Sequence, residues 1–210
     1  MINILIADDH VLFREGLKQI LGKHRELRVI DEAGSGNEAM QKILHSNCDV
    51  VILDISMPGR SGLDILAEIR KVKPSLPVLI VSMHPEDQYA VRVLRAGASG
   101  YLTKESAASE LISAIHKVAS GGRYISASVA ERLADAIESD RAEAPHHALS
   151  NREFQVMRML AAGKTLKEIA EDLILSEKTI TTYRARILEK MDLRNNVELS
   201  HYAIKHDLLD

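Results

Sequence analysis

The stretch VVILDISMPG, residues 50–59, sets four β-branched or apolar residues, Val50-Val51-Ile52-Leu53, directly before a carboxylate, Asp54. An unbroken apolar run of that length reads as a strand buried on both faces of a parallel sheet. Asp is also common at the start of a turn. Taken alone, the run leaves Asp54 either a turn former or a functional acid. The sequence on either side separates the two.

VVIL is one of five short apolar runs: INILIA (2–7), RVIDEA (28–33), VVIL (50–53), VLIV (78–81) and GYL (100–102). Between and after them, apolar residues recur at helical spacing. Examples are Leu12, Phe13, Leu17, Ile20 and Leu21, then Ala39, Met40, Ile43 and Leu44, then Leu111, Ile112, Ile115 and Val118. KPSLP (73–77) and AGASG (96–100) stop helices and turn the chain. Five strand-helix units predict an α/β doubly wound, five-stranded parallel sheet with helices on both faces.

After residue 120 the pattern changes. SASVAERLADAIESD (126–140) reads as a short amphipathic helix, and RAEAPHHALS (141–150) as a polar linker that includes His146-His147. Beyond Leu149 no strand pattern returns, and four short helices are expected near 151–162, 166–173, 177–191 and 195–206. The organisation is therefore a domain over 1–120, a linker with a short helix over 121–148, and a small all-α domain over 149–210. A chain of 210 residues is comfortable for two domains.

Composition is that of a soluble globular protein, with 46 % hydrophobic and 27 % charged residues. The single cysteine, Cys48, cannot form an internal disulfide and reads as a buried, inert thiol. No Cys/His spacing suggests zinc. MINILIADDH has neither a basic leading segment nor a span-length apolar run, so the expected place is the cytoplasm, with no membrane partner. The formal charge is −3, and residues 149–210 carry 10 Lys+Arg against 10 Asp+Glu. Charge alone does not announce a nucleic-acid partner.

In an open parallel sheet the carboxyl ends of the strands lie side by side, and ligands bind there. The alternation gathers Asp8 and Asp9 from the first strand, Asp54 from the third, Ser82 from the fourth and Lys104 from just after the fifth. Clustered carboxylates repel one another, and a hard divalent cation such as Mg2+ relieves that repulsion. A hydroxyl and an ammonium suit the remaining oxygens of a phosphoryl group. The set is what an aspartate needs to accept a phosphoryl group: nucleophile, metal and counter-charges.

IADDH, VILDISMPG, VSMH and GYLTKES resemble the receiver domain of two-component response regulators, over residues 1 to about 120. The resemblance implies a flavodoxin-like fold and Asp54 as the phosphoacceptor from a sensor histidine kinase. It implies Asp8, Asp9, Asp54 and the Ser56 backbone carbonyl at Mg2+, with Ser82 and Lys104 on the phosphoryl oxygens. Tyr101 matches the aromatic switch position, and Pro58-Gly59 shape the loop after the acceptor. Glu105 departs from the pattern, in which proline often follows the lysine. Ser56 and His84, each two residues beyond a site residue, are expected to flank the path of an attacking water and to tune the lifetime of the acyl phosphate.

In TLKEIAEDLILSEKTITTYRARILEKMDL (165–193), Leu166, Ile169, Ala170 and Leu173 form one apolar face. A short turn follows, and Ser176 is placed to cap the next helix. There Ile180, Tyr183, Ile187, Leu188 and Met191 share a face, opposite Lys178, Thr181, Thr182, Ala185 and Glu189. This fits a helix-turn-helix, although a plain helical hairpin has the same apolar spacing. Small residues let a helix sit deep in the major groove, where threonine and alanine methyls meet thymine. Lys178, Arg184 and Arg186 suit phosphates.

Residues 149–193 resemble the LuxR-type DNA-binding domain, and the whole chain resembles the NarL/FixJ family of transcriptional response regulators. The resemblance implies base-facing Thr181, Thr182 and Ala185, and backbone contacts from Lys178, Thr179 and Tyr183. It implies promoter double-stranded DNA as partner and a homodimer when active. Val197, Leu199, Tyr202, Ile204 and Leu208 give the last helix more apolar surface than a small domain need bury, and part of it is expected at the dimer contact. The expected function is a phosphorylation-dependent transcriptional regulator and not an enzyme, beyond slow self-dephosphorylation. Two other readings stand: a Mg2+-dependent phosphohydrolase, which would want a second acid near Asp54 where Ile55 and Ser56 stand, and a DNA-binding regulator whose first domain only dimerises.

Overall fold

A computed structural model describes residues 1–58, 60–127, 129–131, 144–206 and 208–209. Its close contacts divide the chain into two compact units, Met1–Leu133 and Ala134–Asp210. In the first, strands and helices alternate: β1 (Ile2–Ala7), α1 (Val11–Leu21), β2 (Leu27–Ala33), α2 (Gly36–His45), β3 (Val50–Leu53), α3 (Gly62–Val72), β4 (Val78–Ser82), α4 (Glu86–Arg95), β5 (Gly100–Thr103) and α5 (Ala107–Ala119). All pairings are parallel and the strand order is β2-β1-β3-β4-β5. The expected α/β doubly wound five-stranded sheet is the fold of this unit.

Strands β3 and β4 are buried along their whole length, as their unbroken apolar runs require. Ile4, Ile6, Val50, Ile52, Leu79 and Val81 pack with Leu17, Leu21, Leu111 and Ile115 of the flanking helices. Cys48 is a buried free thiol. In this strand order the direction of winding reverses between β1 and β3. The loops that follow them, carrying Asp8, Asp9 and Asp54, therefore diverge to opposite faces and leave a crevice between. Gly62 is needed beside it: a Cβ there would lie 2.0 Å from the Asp54 carbonyl oxygen.

Among its described residues the second unit holds a 3-10 turn (Pro145–Ala148) and four helices, α6 (Asn151–Ala161), α7 (Leu166–Asp172), α8 (Glu177–Lys190) and α9 (Asn196–Lys205). Their starts are written in the sequence. Ser150 and Thr165 each form a reciprocal capping box with Glu153 and Glu168, and Ser176 caps α8 through the Thr179 N–H. Phe154, Met157, Ile169, Ile180, Ile187 and Leu199 are buried between the helices. Among the described residues three charges are buried with them, each with partners. Arg152 and Arg158 donate to the carbonyls of Leu173 and Leu208, and Glu153 accepts from Lys190 at 2.6 Å.

Most of the helix expected over 126–140, and Gly59 of the Pro58-Gly59 turn, lie outside the described residues. Leu199 and Leu208 belong to the core rather than to a free face: Leu199 falls on the side of α9 turned toward α6, and Leu208, just past the helix end, is buried with its carbonyl held by Arg158. Among the described residues no helix is long and apolar enough to cross a membrane.

Candidate functional site

The crevice at the carboxyl ends of β1, β3 and β5 brings four of the expected residues together. The Lys104 ammonium lies 2.6 Å from Asp8 Oδ2 and 2.8 Å from Asp54 Oδ2, bridging acids that are each only 2 % exposed. Asp9 Oδ1 is buried and accepts no hydrogen bond, although His10 Nδ1 lies 2.9 Å away out of line. Ligand atoms of Asp8, Asp9, His10 and Asp54 all fall within 4.8 Å of one another. Three convergent carboxylates, one with a buried oxygen that accepts no hydrogen bond, are a fitting donor set for a hard divalent cation.

Burial pushes the Asp54 carboxyl above its ordinary range, and Asp8 adds to it. Lys104 and the Ser56 N–H, which donates to Asp54 Oδ1 at 3.1 Å, pull against that rise without cancelling it. Burial alone would lower the Lys104 ammonium, but Asp54 and Asp8 more than reverse this and hold it protonated. A buried carboxylate and a fixed positive charge therefore sit in one poorly hydrated pocket, where their fields are strong.

The hydroxyl arm is one loop away. Ser82 ends β4, fully buried, and accepts the His84 N–H. Tyr101 in β5 points inward, 1 % exposed, and its hydroxyl donates to the His84 carbonyl at 2.8 Å. Burial pushes that phenol up, with Ser82 pulling the other way. The His84 ring bonds Ser56 Oγ at 3.0 Å and stacks on Tyr89. The two residues expected to flank a water path thus touch each other.

Two neighbours had no assigned role. His10 stands just before α1 without capping it through its side chain, and its ring lies 3.1 Å from Asp8 Oδ1 and 3.2 Å from Lys104 Nζ. Phe13 lies under the Lys104 ammonium, 4.6 Å from Nζ to ring centre. His10 could have been suspected from its place just after a strand-end acid pair. Phe13 carried no signal beyond its helical spacing.

The family of response regulator receiver domains matches residues 4–116. The luxR family of bacterial regulatory proteins matches residues 147–203. Response regulator UvrY of Escherichia coli K12 is 40 % identical over 209 residues, covering 99 % of this chain and 96 % of its own. Response regulator GacA of Pseudomonas aeruginosa is 36 % identical over 211 residues, covering 100 % and 99 %. The chain belongs to the NarL/FixJ response regulators. A structure of two RcsB dimers bound to two parallel DNAs is 26 % identical, with a TM-score of 0.59 and 96 % of both chains covered.

In this response regulator, α7, the turn after it and α8 form the helix-turn-helix. Ile180 and Ile187 of α8 are buried, Tyr183 and Leu188 are half-buried, and Lys178, Thr181, Thr182, Ala185 and Arg186 are exposed. The hydroxyls of Thr181 and Thr182 donate to the carbonyls of Glu177 and Lys178, four residues back. That engages both hydroxyl protons and leaves their methyl groups and oxygen lone pairs as the outward chemistry. Thr179 is half-buried, with its hydroxyl bonded to Ser176. Arg184 is half-buried and donates to Asn196 Oδ1 at 2.7 Å, so α9 braces its guanidinium. The turn holds Ile174 at φ 52, a left-handed conformation that costs a β-branched residue, and leaves it 67 % exposed.

Proposed function

We propose that Asp54 accepts a phosphoryl group from a sensor histidine kinase, and that this changes dimerisation and promoter DNA binding by the 149–210 domain. The observation that carries the reading is the Lys104 ammonium held between Asp8 and Asp54 in a buried pocket. An Asp54 carboxylate oxygen attacks the phosphorus, the phosphorus–nitrogen bond to the kinase histidine breaks, and an acyl phosphate forms. Lys104 and Ser82 then face the phosphoryl oxygens. Asp8, Asp9, Asp54 and the Ser56 carbonyl would hold Mg2+, which supplies positive charge against the carboxylates and the phosphoryl group. Slow hydrolysis, tuned by Ser56 and His84, returns the carboxylate. Tyr101 reports the state of Ser82 to the surface around residues 83–105.

The division of labour follows the sequence: phosphoacceptor over 1–120, linker over 121–148, DNA binding over 149–210. Thr181, Thr182 and Ala185 face bases, and Lys178, Thr179, Tyr183, Arg184 and Arg186 serve the phosphate backbone. With equal numbers of acids and bases, one such domain binds weakly, and two copies on a two-fold site multiply the contacts. Val197 and Ile204, 78 % and 66 % exposed on α9, are the apolar surface available for a homodimer. A protein acting on promoters works beside the chromosome, in the cytoplasm.

The test is titration of DNA fragments enriched by the protein from its genome, before and after acetyl phosphate treatment. Tighter binding after treatment, lost in Asp54→Asn, is expected. Identical binding in both states would favour the phosphorylation-independent reading.

A further inference from the structure

The chain does not leave the receiver at the end of α5. Tyr124 returns to the sheet, pairing in parallel with Gly100 of β5, and its N–H donates to the Ser99 carbonyl at 2.9 Å. Gly100 permits the approach, since a Cβ there would meet the Tyr124 carbonyl oxygen at 2.8 Å. The Tyr124 hydroxyl donates to Glu110 of α5 at 2.6 Å. Two residues on, Ser126 Oγ donates to Glu86 Oε2 at 2.6 Å. Val129 is then 1 % exposed, and Ala130 donates back to the Ser126 carbonyl. The described residues 124–127 and 129–131 therefore begin on the otherwise free edge of β5, at Tyr124, and are fastened to α5 through Tyr124 and to α4 through Ser126. They also belong to the segment that continues toward the DNA-binding domain.

Its α4 anchor is chemically close to the acid pocket. Glu86 is the first residue of α4, two positions after His84. His84 is where the site's polar contacts meet: its N–H on Ser82, its carbonyl under Tyr101 and its ring on Ser56. A Ser82 hydroxyl turned toward a phosphoryl group on Asp54 would give up the His84 N–H, and the change would reach Glu86 through Pro85, the one residue between them.

We propose that Tyr124, Ser126, Val129 and Ala130 belong to a strap docked on β5 and α4 in the unphosphorylated protein, and that phosphorylation of Asp54 releases it through His84 and Glu86. This rests on the phosphoacceptor reading. Release lengthens the tether to the DNA-binding domain and widens the range over which two copies can meet. Coupling is reciprocal, so loosening the strap must favour the phosphorylated state.

The test is hydrogen exchange on the full chain with Mg2+ and acetyl phosphate, with intact mass read on the same samples. Amides in 124–131 are expected to exchange about tenfold faster in the phosphorylated protein, within the usual range of coupling between sites, while β1 is unchanged. In Ser126→Ala the strap is expected to exchange fast without phosphate, and phosphorylation to reach a several-fold higher level at the same donor concentration. Equal or greater protection in a chain whose mass shows the added phosphoryl group would overturn the strap. So would wild-type phosphorylation of Ser126→Ala. No added mass on the wild-type chain would overturn the phosphoacceptor reading and the strap with it.

Discussion

Replacing Lys104 with methionine keeps the length of the side chain and removes its charge. In the wild-type protein that charge lies 2.6 and 2.8 Å from two carboxylates that are 2 % exposed, on a side chain itself 6 % exposed. Leaving buried charges without their partner costs about 3–5 kcal/mol. Proton uptake sets a ceiling. Raising one aspartate from its ordinary value to 7 costs about 4 kcal/mol, so at neutral pH the pocket protonates rather than losing more. Asp54, already pushed up by burial and by Asp8, is the acid placed to do so. The expected loss in metal-free buffer is therefore about 3–4 kcal/mol, read by urea denaturation with hydrogen exchange following β1 and β3. A divalent cation replaces the missing positive charge, and Mg2+ at about a hundred times its dissociation constant should return about 2.7 kcal/mol. A loss below about 1 kcal/mol, or a loss indifferent to Mg2+, would refute the view that Lys104 balances the acids.

Three further outcomes follow from the geometry. Burial pushes the Glu153 carboxyl up, but Lys190 and the Ser150 N–H and hydroxyl more than reverse this, and its folded value lies below the ordinary one. Its contribution is thus present above the ordinary glutamate value and lost as pH falls through the folded value. Lys190→Met should cost about 2 kcal/mol at neutral pH, and its deficit against wild type should close as pH falls below the ordinary glutamate value and through the folded one in denaturation titrations. Ile174→Gly removes about 1–2 kcal/mol of left-handed strain against about 0.4–1 kcal/mol of added unfolded-state freedom, so the denaturation midpoint of the second unit should rise. His84→Ala and Ser56→Ala each break the 3.0 Å contact beside Asp54, and each should speed loss of the phosphoryl group several-fold in an intact-mass time course. An unchanged rate in both would remove these residues from the water path.

The parts of the molecule that sequence made legible share a cause. Short runs of three to six residues alternating with helical spacing have few alternative folds, and that alternation alone puts Asp8, Asp9, Asp54 and Lys104 at one edge. Cap residues such as Ser150, Thr165 and Ser176 marked helix starts because their hydroxyls satisfy exposed N–H groups locally. What escaped depends on contacts distant in sequence. Arg152 and Arg158 look like surface charges until the carbonyls of Leu173 and Leu208 come to meet them. Tyr124 lies in a stretch read as linker, and only the free edge of β5 gives it a partner. Ile174 sits in a turn whose left-handed step is usual for glycine or asparagine, so its conformation could not be read from its residue type.

The central claim is that Asp54 takes a phosphoryl group. The most direct measurement is intact mass after incubation with Mg2+ and acetyl phosphate, beside an Asp54→Asn control. One phosphoryl group added to the wild-type chain and none to the control is the result the account predicts. No addition to either protein, with DNA binding intact, would contradict it and leave the buried Asp8–Lys104–Asp54 cluster as an ion-pair network without phosphoryl chemistry.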